Sequence, residues 1–298
     1  MRQPAKADRA LPQPIWGLKL SSQPSHCQIR KMKFLALLAA NAALVLAAQA
    51  ADADSRVFEM RTYYAAQGKL DALHARFRDH TTKLFEKHGI TNVGYWVPIA
   101  AGPDAPDNPE NKLIYVLAYP SREAREQSWK AFASDPDWKK AQSESEKGGK
   151  IVAKVEQLFM NATDYSPHIE PMKGTADRVF ELRTYTCTPG NLPLLDARFR
   201  DHTLKLFTKH GITNLFYWHL LPDQPKADAA PRADVTLVYM LAHASVDAAK
   251  ASFDEFRKDP DWVAAKEASE KKGGGSLTIA EGGVKSVFLK ATDYSPTK

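Results

Sequence analysis

"RVFEMRTYYAAQGKLDALHARFRDHTTKLFEKHGITNVGYW" runs from Arg56 to Trp96, and "RVFELRTYTCTPGNLPLLDARFRDHTLKLFTKHGITNLFYW" runs from Arg178 to Trp218. The two align without a gap and agree at 28 of 41 positions, so the chain carries one unit twice. Further along, "YVLAYPS" from Tyr115 matches "YMLAHAS" from Tyr239, "DPDW" recurs at Asp135 and Asp259, and "ATDYSP" closes both copies. The offset between copies changes only in loops. The repeats take residues 55–166 and 178–296, and residues 167–177, with two prolines and a glycine, read as a linker.

Each copy presents the same order of elements. Arg56 to Tyr64 alternates and is rich in β-formers, which predicts a strand. Lys69 to His88 carries a helical stripe of Leu70, Leu73, Phe77, His80 and Leu84, and Gly89 follows where a left-handed cap is expected. Asn92 to Ile99 and Leu113 to Tyr119 read as strands, Ser121 to Phe132 as a helix, and Asp135-Pro136-Asp137 as the capped start of another. Ile151 to Ala162 is the last strand. The expectation is α+β: two ferredoxin-like βαββαβ repeats, each shielding the other's bare sheet face, forming within one chain the α/β barrel that a homodimer usually builds.

The formal charge of +6 comes from the first fifty residues, which hold seven Lys or Arg and one Asp; the rest of the chain has 34 basic and 34 acidic residues. A neutral body gives no reason to expect a nucleic acid or an anionic membrane as partner. Residues 1–50 read as an export signal with an upstream segment. Arg30 to Lys33 is a basic n-region, Phe34 to Ala47 an apolar run too short to span a bilayer, and Ala48-Gln49-Ala50 a small-x-small cleavage site. Met32 is a candidate start, and a periplasmic or secreted protein beginning near Ala51 is expected. Such a protein keeps one cysteine, Cys187, whose counterpart is Ala65; the expected role is a small buried hydrophobe in a fold without disulfides.

The residues also carry a family resemblance. "VFEMRTY" and "VFELRTY" on an opening strand, a helix ending in "KHG", then "YW", "LAYPS" or "LAHAS", and "DPDW" resemble the NIPSNAP family over nearly all of the chain after the signal. The resemblance implies the dimeric α/β barrel and no settled reaction, and many NIPSNAP proteins are spoken of as interaction or trafficking proteins. Families with this barrel include cofactor-light monooxygenases and haem-degrading enzymes; nothing here matches the helix-histidine motif of the latter. The chain departs from organelle-associated members in its bacterial-type export signal and in two repeats of nearly equal strength.

The candidate site residues follow from the pattern. Glu59, Arg61 and Tyr63 alternate on the first strand, as do Glu181, Arg183 and Tyr185, so each triplet shares one sheet face. They read either as ligand-binding groups or as a buried ion pair where the sheets meet. Which face they occupy is open. His80 and His202 fall on the apolar stripe at 100° per residue, which points them into the core as satisfied imidazoles or as catalytic proton carriers. Trp96 and Trp218 are candidate pocket walls, with Trp138, Trp262, Tyr95 and Tyr217 beside them. His88 and His210 read as helix-end groups, and Asp135, Asp137, Asp259 and Asp261 as caps. His219 and His243, unique to the second copy, sit too far apart on an antiparallel pair to share a metal. The sequence calls for no cofactor and no metal. The leading expectation is a small organic molecule bound between sheet and helices of each repeat; the alternatives are a cofactor-poor monooxygenase-like oxidoreductase and a protein-interaction module without a pocket.

Overall fold

A computed structural model describes residues 54–100, 108–172, 174, 178–225 and 231–298. The expected export signal, residues 1–50 with Cys27, lies outside the described residues. The first repeat is built from β1 (Val57–Ala65), a helix α1, β2 (Thr91–Pro98), β3 (Lys112–Tyr119), α2 (Arg122–Ser134), α3 (Pro136–Ser145) and β4 (Val152–Ala162). Helix α1 runs as Leu70–Arg76, a π turn Phe77–Thr81, and Thr82–Lys87. The second repeat copies it: β5 (Val179–Thr186); α4, running as Leu192–Arg198, a π turn Phe199–Thr203, and Leu204–Lys209; β6 (Thr213–Leu220), β7 (Thr236–His243), α5 (Val246–Lys258), α6 (Pro260–Lys272) and β8 (Val284–Ala291). The predicted βαββαβ order is met in both.

All eight strands close into one antiparallel barrel in the order β1-β3-β2-β8-β5-β7-β6-β4. Two short ladders join the repeats: Trp96 to Pro98 pairs with Leu289 to Ala291, and Met160 to Ala162 with Trp218 to Leu220. Alternation in the strands sends one set of side chains inward and the other toward the helices. Phe58, Met60, Trp96, Val116, Phe180, Phe216, Trp218 and Met240 belong to one buried cluster drawn from both repeats. A separate helix-side core lies in each repeat. Barrel closure removes the sheet edges that a lone repeat would expose. Ile169 of the linker is fully buried in the shared cluster, so the segment between repeats also seals the barrel.

Local chemistry fixes the helix ends. The side chains of Ser121 and Ser245 accept from the N–H of Ala124 and Ala248, and those of Asp135 and Asp259 accept from Asp137 and Asp261 at the starts of α3 and α6. Gly89 turns the chain after α1 with φ +73, a conformation glycine adopts without Cβ strain. The "ATDYSP" segments cross over. Tyr294 packs on Phe77 and Tyr95, and its hydroxyl lies 2.8 Å from Nδ1 of His74. Tyr165 packs on Phe199 and Tyr217 and donates to Asp196 at 2.7 Å. Each repeat's last residues are thus clasped by the other's first helix.

One expectation fails. His80 and His202 are exposed, not buried on the apolar stripe. The reason is the π turn over "FRDHT": the Thr82 N–H bonds to the Phe77 carbonyl and the Leu204 N–H to that of Phe199, five residues back rather than four. An inserted residue slips the phase by roughly 100°, one residue's rotation. Thr81 and Thr203 take the inward position, each 1% exposed, with Oγ1 donating to the carbonyl of Arg76 or Arg198.

Candidate functional site

The face of the opening strands is settled by their neighbours. Phe58 and Met60 point into the barrel, whereas Tyr63 packs with Tyr115, Leu117 and Tyr119 under the helices. Glu59, Arg61 and Tyr63 therefore meet the helix layer, and the ion pair lies there rather than where the sheets meet. Trp96 and Trp218 point the other way, into the barrel, each fully buried with no partner for its indole N–H among the described residues. They do not share a site with the triplets. In the first repeat the Trp96 ring lies over Gly94, where a Cβ would stand 2.2 Å from the indole.

In the first repeat Glu59 is wholly enclosed. Nη1 of Arg61 donates to its Oε1 at 2.5 Å, Arg125 on α2 donates through Nε and Nη2 at 3.0 and 2.9 Å, and the Tyr119 hydroxyl donates at 3.0 Å. Burial works against the charged carboxylate, but the bonds to Arg125 and the charges of Arg61 and Arg125 outweigh it and hold Glu59 below the usual carboxylate range. Arg61 also donates to Gln157 at 2.8 Å and to the Tyr63 hydroxyl at 3.3 Å. Trp129 closes the group: its ring centroid is 4.5 Å from the Arg61 guanidinium, and its N–H donates to Tyr119 at 2.8 Å.

The second repeat keeps the triplet and changes what surrounds it. Arg183 donates to Glu181 at 2.5 Å and to the Tyr185 hydroxyl at 3.2 Å. Alignment on the shared motifs puts His243 at the place of Tyr119, Ala249 at that of Arg125, Phe253 at that of Trp129 and Ser286 at that of Gln157. His243 and Ser286 bond Glu181 at 3.1 and 2.5 Å. Burial opposes ionisation here too, and the His243 bond with the Arg183 charge overcomes it, so Glu181 also sits low. All four replacements are by smaller side chains, and one of them, Phe253 for Trp129, lines an open space in this layer. A cavity of about 420 Å³ opens beside Arg183 and Tyr185, floored by Phe199, Thr203, Phe207 and Phe253. Two of these, Phe199 and Thr203, belong to the π turn, which presents them inward at the cost of His202. At the mouth stand Arg257, Val263, Lys266, Glu267 and Val284, with Trp262 on one side.

The histidines on which proton transfer was expected to rest are elsewhere. His80 lines an outer groove of about 350 Å³ with Asp79, Lys83 and Asp137, and His202 one of about 650 Å³ with Asp201, Lys205 and Asp261. No bond joins either to the triplets among the described residues. His88 and His210 bond Asp135 and Asp259 at 2.7 Å and tie the end of one helix to the start of another. His219 pairs with Asp196 and His243 with Glu181, at opposite ends of the β6–β7 ladder. No group of three or more His, Cys, Asp or Glu gathers as a metal site among the described residues. Cys187 is 1% exposed, and burial pushes its thiol up to about 12, far from a reactive thiolate.

Chemically, this arrangement can bind and orient. A carboxylate held ionised by a guanidinium is a weak base and has no proton to give. Arg125, Ala249, Trp129 and Phe253 escaped the pattern reading, although comparing the copies position by position after "LAYPS" and "LAHAS" exposes each of them.

A family model described as NIPSNAP matches residues 58–167 and again 180–296. Among solved structures, a proposed monooxygenase from Lactobacillus acidophilus aligns with a TM-score of 0.46 and 10% identity over 81% of this chain and 98% of its own. A NIPSNAP-like domain protein from Burkholderia xenovorans aligns at 0.33 and 13% over 41% of this chain and 97% of its own. A NIPSNAP family protein from Agrobacterium tumefaciens aligns at 0.32 and 20% over 38% and 97%. No curated protein matches the sequence significantly.

Proposed function

We propose, from the premise that this chain belongs to the NIPSNAP family, that its second repeat is a receptor for a small organic molecule and its first repeat the half that completes the barrel. The observation that carries this reading is the cavity of about 420 Å³ beside Arg183 and Tyr185. Its volume falls in the range of small-molecule sites, roughly 300–1,000 Å³, as do those of the two outer grooves, and its aromatic walls with a few polar groups, which those grooves lack, set it apart. The first repeat has the same strand triplet but carries Trp129 and Arg125 where the second has Phe253 and Ala249, so binding in each repeat gives way to binding in one. Proton transfer through His202 has no support, since that imidazole opens on another groove.

The receptor works outside the cytoplasm, a reading supported by the basic n-region, the short apolar run and the Ala48-Gln49-Ala50 cleavage site. Native mass spectrometry of the protein recovered from its own periplasm tests both parts. A chain starting near Ala51 with a non-covalent adduct, lost in Phe253→Trp, is expected. A chain free of adduct that also takes up no member of a fragment library would overturn the binding reading, and an unprocessed N-terminus would overturn export.

A further inference from the structure

We infer that the ligand of the second repeat is an organic monoanion, an apolar or aromatic body bearing one carboxylate. The inference rests on the binding reading above and adds the ligand's charge and shape.

Charge is the first observation. The cavity lining contains Arg183, Arg257 and Lys266 against a single acid, Glu267. The first repeat arranges its mouth differently: Ala133, Lys139, Gln142 and Ser143 stand at the places of Arg257, Val263, Lys266 and Glu267, so it holds one cation and no acid where the second holds two cations and one acid. Both mouth cations have neighbours on their own helices, Asp254 at 2.5 Å from Arg257 and Glu270 at 3.8 Å from Lys266, so their part is to attract the anion and frame it.

The anchor is deeper. Nη1 of Arg183 is taken by Glu181 and Nη2 by Tyr185, while Nε is buried without a partner among the described residues. In the first repeat a second arginine, Arg125, shares the carboxylate of Glu59; in the second that arginine is Ala249, and Glu181 is shared instead with His243 and Ser286. The Arg61 Nε of the first repeat is unpartnered among the described residues as well, but only in the second repeat does the cavity lie beside the guanidinium, where a free N–H suits a carboxylate oxygen. Behind the Trp262 wall lies a further buried cation. The Arg198 side chain is 6% exposed, and its nearest carboxylate is Glu270 at 4.0 Å, whereas its counterpart Arg76 has Glu146 at 3.1 Å. Its guanidinium sits 5.2 Å from the Trp262 ring centroid, so the field at that wall is also less compensated than in the first repeat. The body of the ligand is set by the rings. Phe199, Phe207, Phe253, Phe256 and Trp262 present apolar faces and edges on which a flat or extended hydrocarbon packs.

The test uses the processed chain and three probes that share one body: 4-phenylbutyrate, 4-phenylbutanol and 4-phenylbutylamine, with naphthyl and decyl sets alongside. Binding is read by titration calorimetry and ligand-observed NMR at two salt concentrations. The acid of at least one set is expected to bind about tenfold or more tightly than its alcohol, the value of one charge-assisted contact, with no binding of the amine. Phe253→Trp should abolish this. The double change Arg257→Ala with Lys266→Gln, which copies the first repeat on an exposed surface, should shrink the acid's advantage and its dependence on salt. An alcohol that binds as tightly as its acid overturns the anion while leaving the receptor reading standing, as does a neutral or cationic adduct on the native protein. Acid binding untouched by Phe253→Trp, or no acid bound in any set, also overturns it.

Discussion

Removing the Glu59 carboxylate should be among the most damaging single changes to this fold. Glu59 is wholly buried and accepts from Arg61, Arg125 and Tyr119, and the Arg61 and Arg125 side chains are 10% and 12% exposed. Glu59→Ala strands two guanidinium groups under the helix layer. Breaking a buried pair by deleting one partner costs about 3–5 kcal/mol. The lower end applies, because Arg61 keeps Gln157 and Tyr63 and Arg125 stands near the rim, where it can turn toward Glu126, 3.1 Å from its Nη1. About 3 kcal/mol corresponds to a fall in Tm of about 6–12 °C for a chain of this size. The double variant Glu59→Ala with Arg125→Ala removes one stranded charge, so it should be no less stable than Glu59→Ala alone. Urea midpoints and calorimetry on the wild type, both single variants and the double variant give the cycle. A loss below about 1 kcal/mol for Glu59→Ala, the range of surface pairs, or strictly additive losses in the cycle, would refute a buried, mutually dependent cluster.

Three further outcomes follow from the same geometry. His80→Gln and His202→Gln alter exposed side chains and should each change stability by less than about 0.5 kcal/mol, whereas Thr203→Val, which removes the buried hydroxyl donating to the Arg198 carbonyl, should cost about 1 kcal/mol; thermal melts separate them. Acid should weaken the fold. Glu59 and Glu181 are held low against burial by Arg125 and His243, and Asp135 and Asp259 are held low by Lys87 and Lys209 with the adjacent histidines. Depressed folded-state values mean that this stability is whole above the unfolded carboxylate pKa, about 4, and is lost as pH falls through the folded values; urea midpoints level above pH 5 and falling below pH 4 are expected, with a shallower fall in Glu59→Gln. Cys187 should resist thiol reagents at pH 8 in the native protein and react fully in denaturant, read by absorbance.

Nearly all of the architecture was legible because its determinants are local or repeated. Strand alternation at Val57 to Tyr64, the Ser121 and Asp135 caps and Gly89 act within a few residues, and duplication supplied the second half. The site was half legible. Period two placed Glu59, Arg61 and Tyr63 on one face, but which face depends on what covers Phe58 and Met60, and those partners come from the other repeat. The histidines were misplaced because a uniform 100° step cannot see an inserted residue; the recurrence of Thr81 and Thr203 four residues after Phe77 and Phe199 was the available sign. Arg125 lies 66 residues from Glu59 and belongs to a different element, so only folding reveals their pairing.

Fusion of two copies changes what the barrel can do. When two separate chains of one kind form such a barrel, symmetry gives both sheet–helix layers the same residues, and a change that opens one opens the other. Opening a layer here removes the Arg125 contacts that hold Glu59 ionised beneath the helices and the Trp129 ring that covers Arg61. In one chain the layers are free to differ. The first keeps a carboxylate fully satisfied by two arginines and a phenol. The second keeps one arginine, Arg183, and has Ala249, Phe253 and His243 where the first has Arg125, Trp129 and Tyr119, while the barrel ladders at Trp96–Pro98 and Met160–Ala162 and the crossed Tyr165 and Tyr294 clasps hold the frame common to both. The receptor proposed above needs one layer free to vary on a frame that stays closed, and duplication lets one sequence hold both.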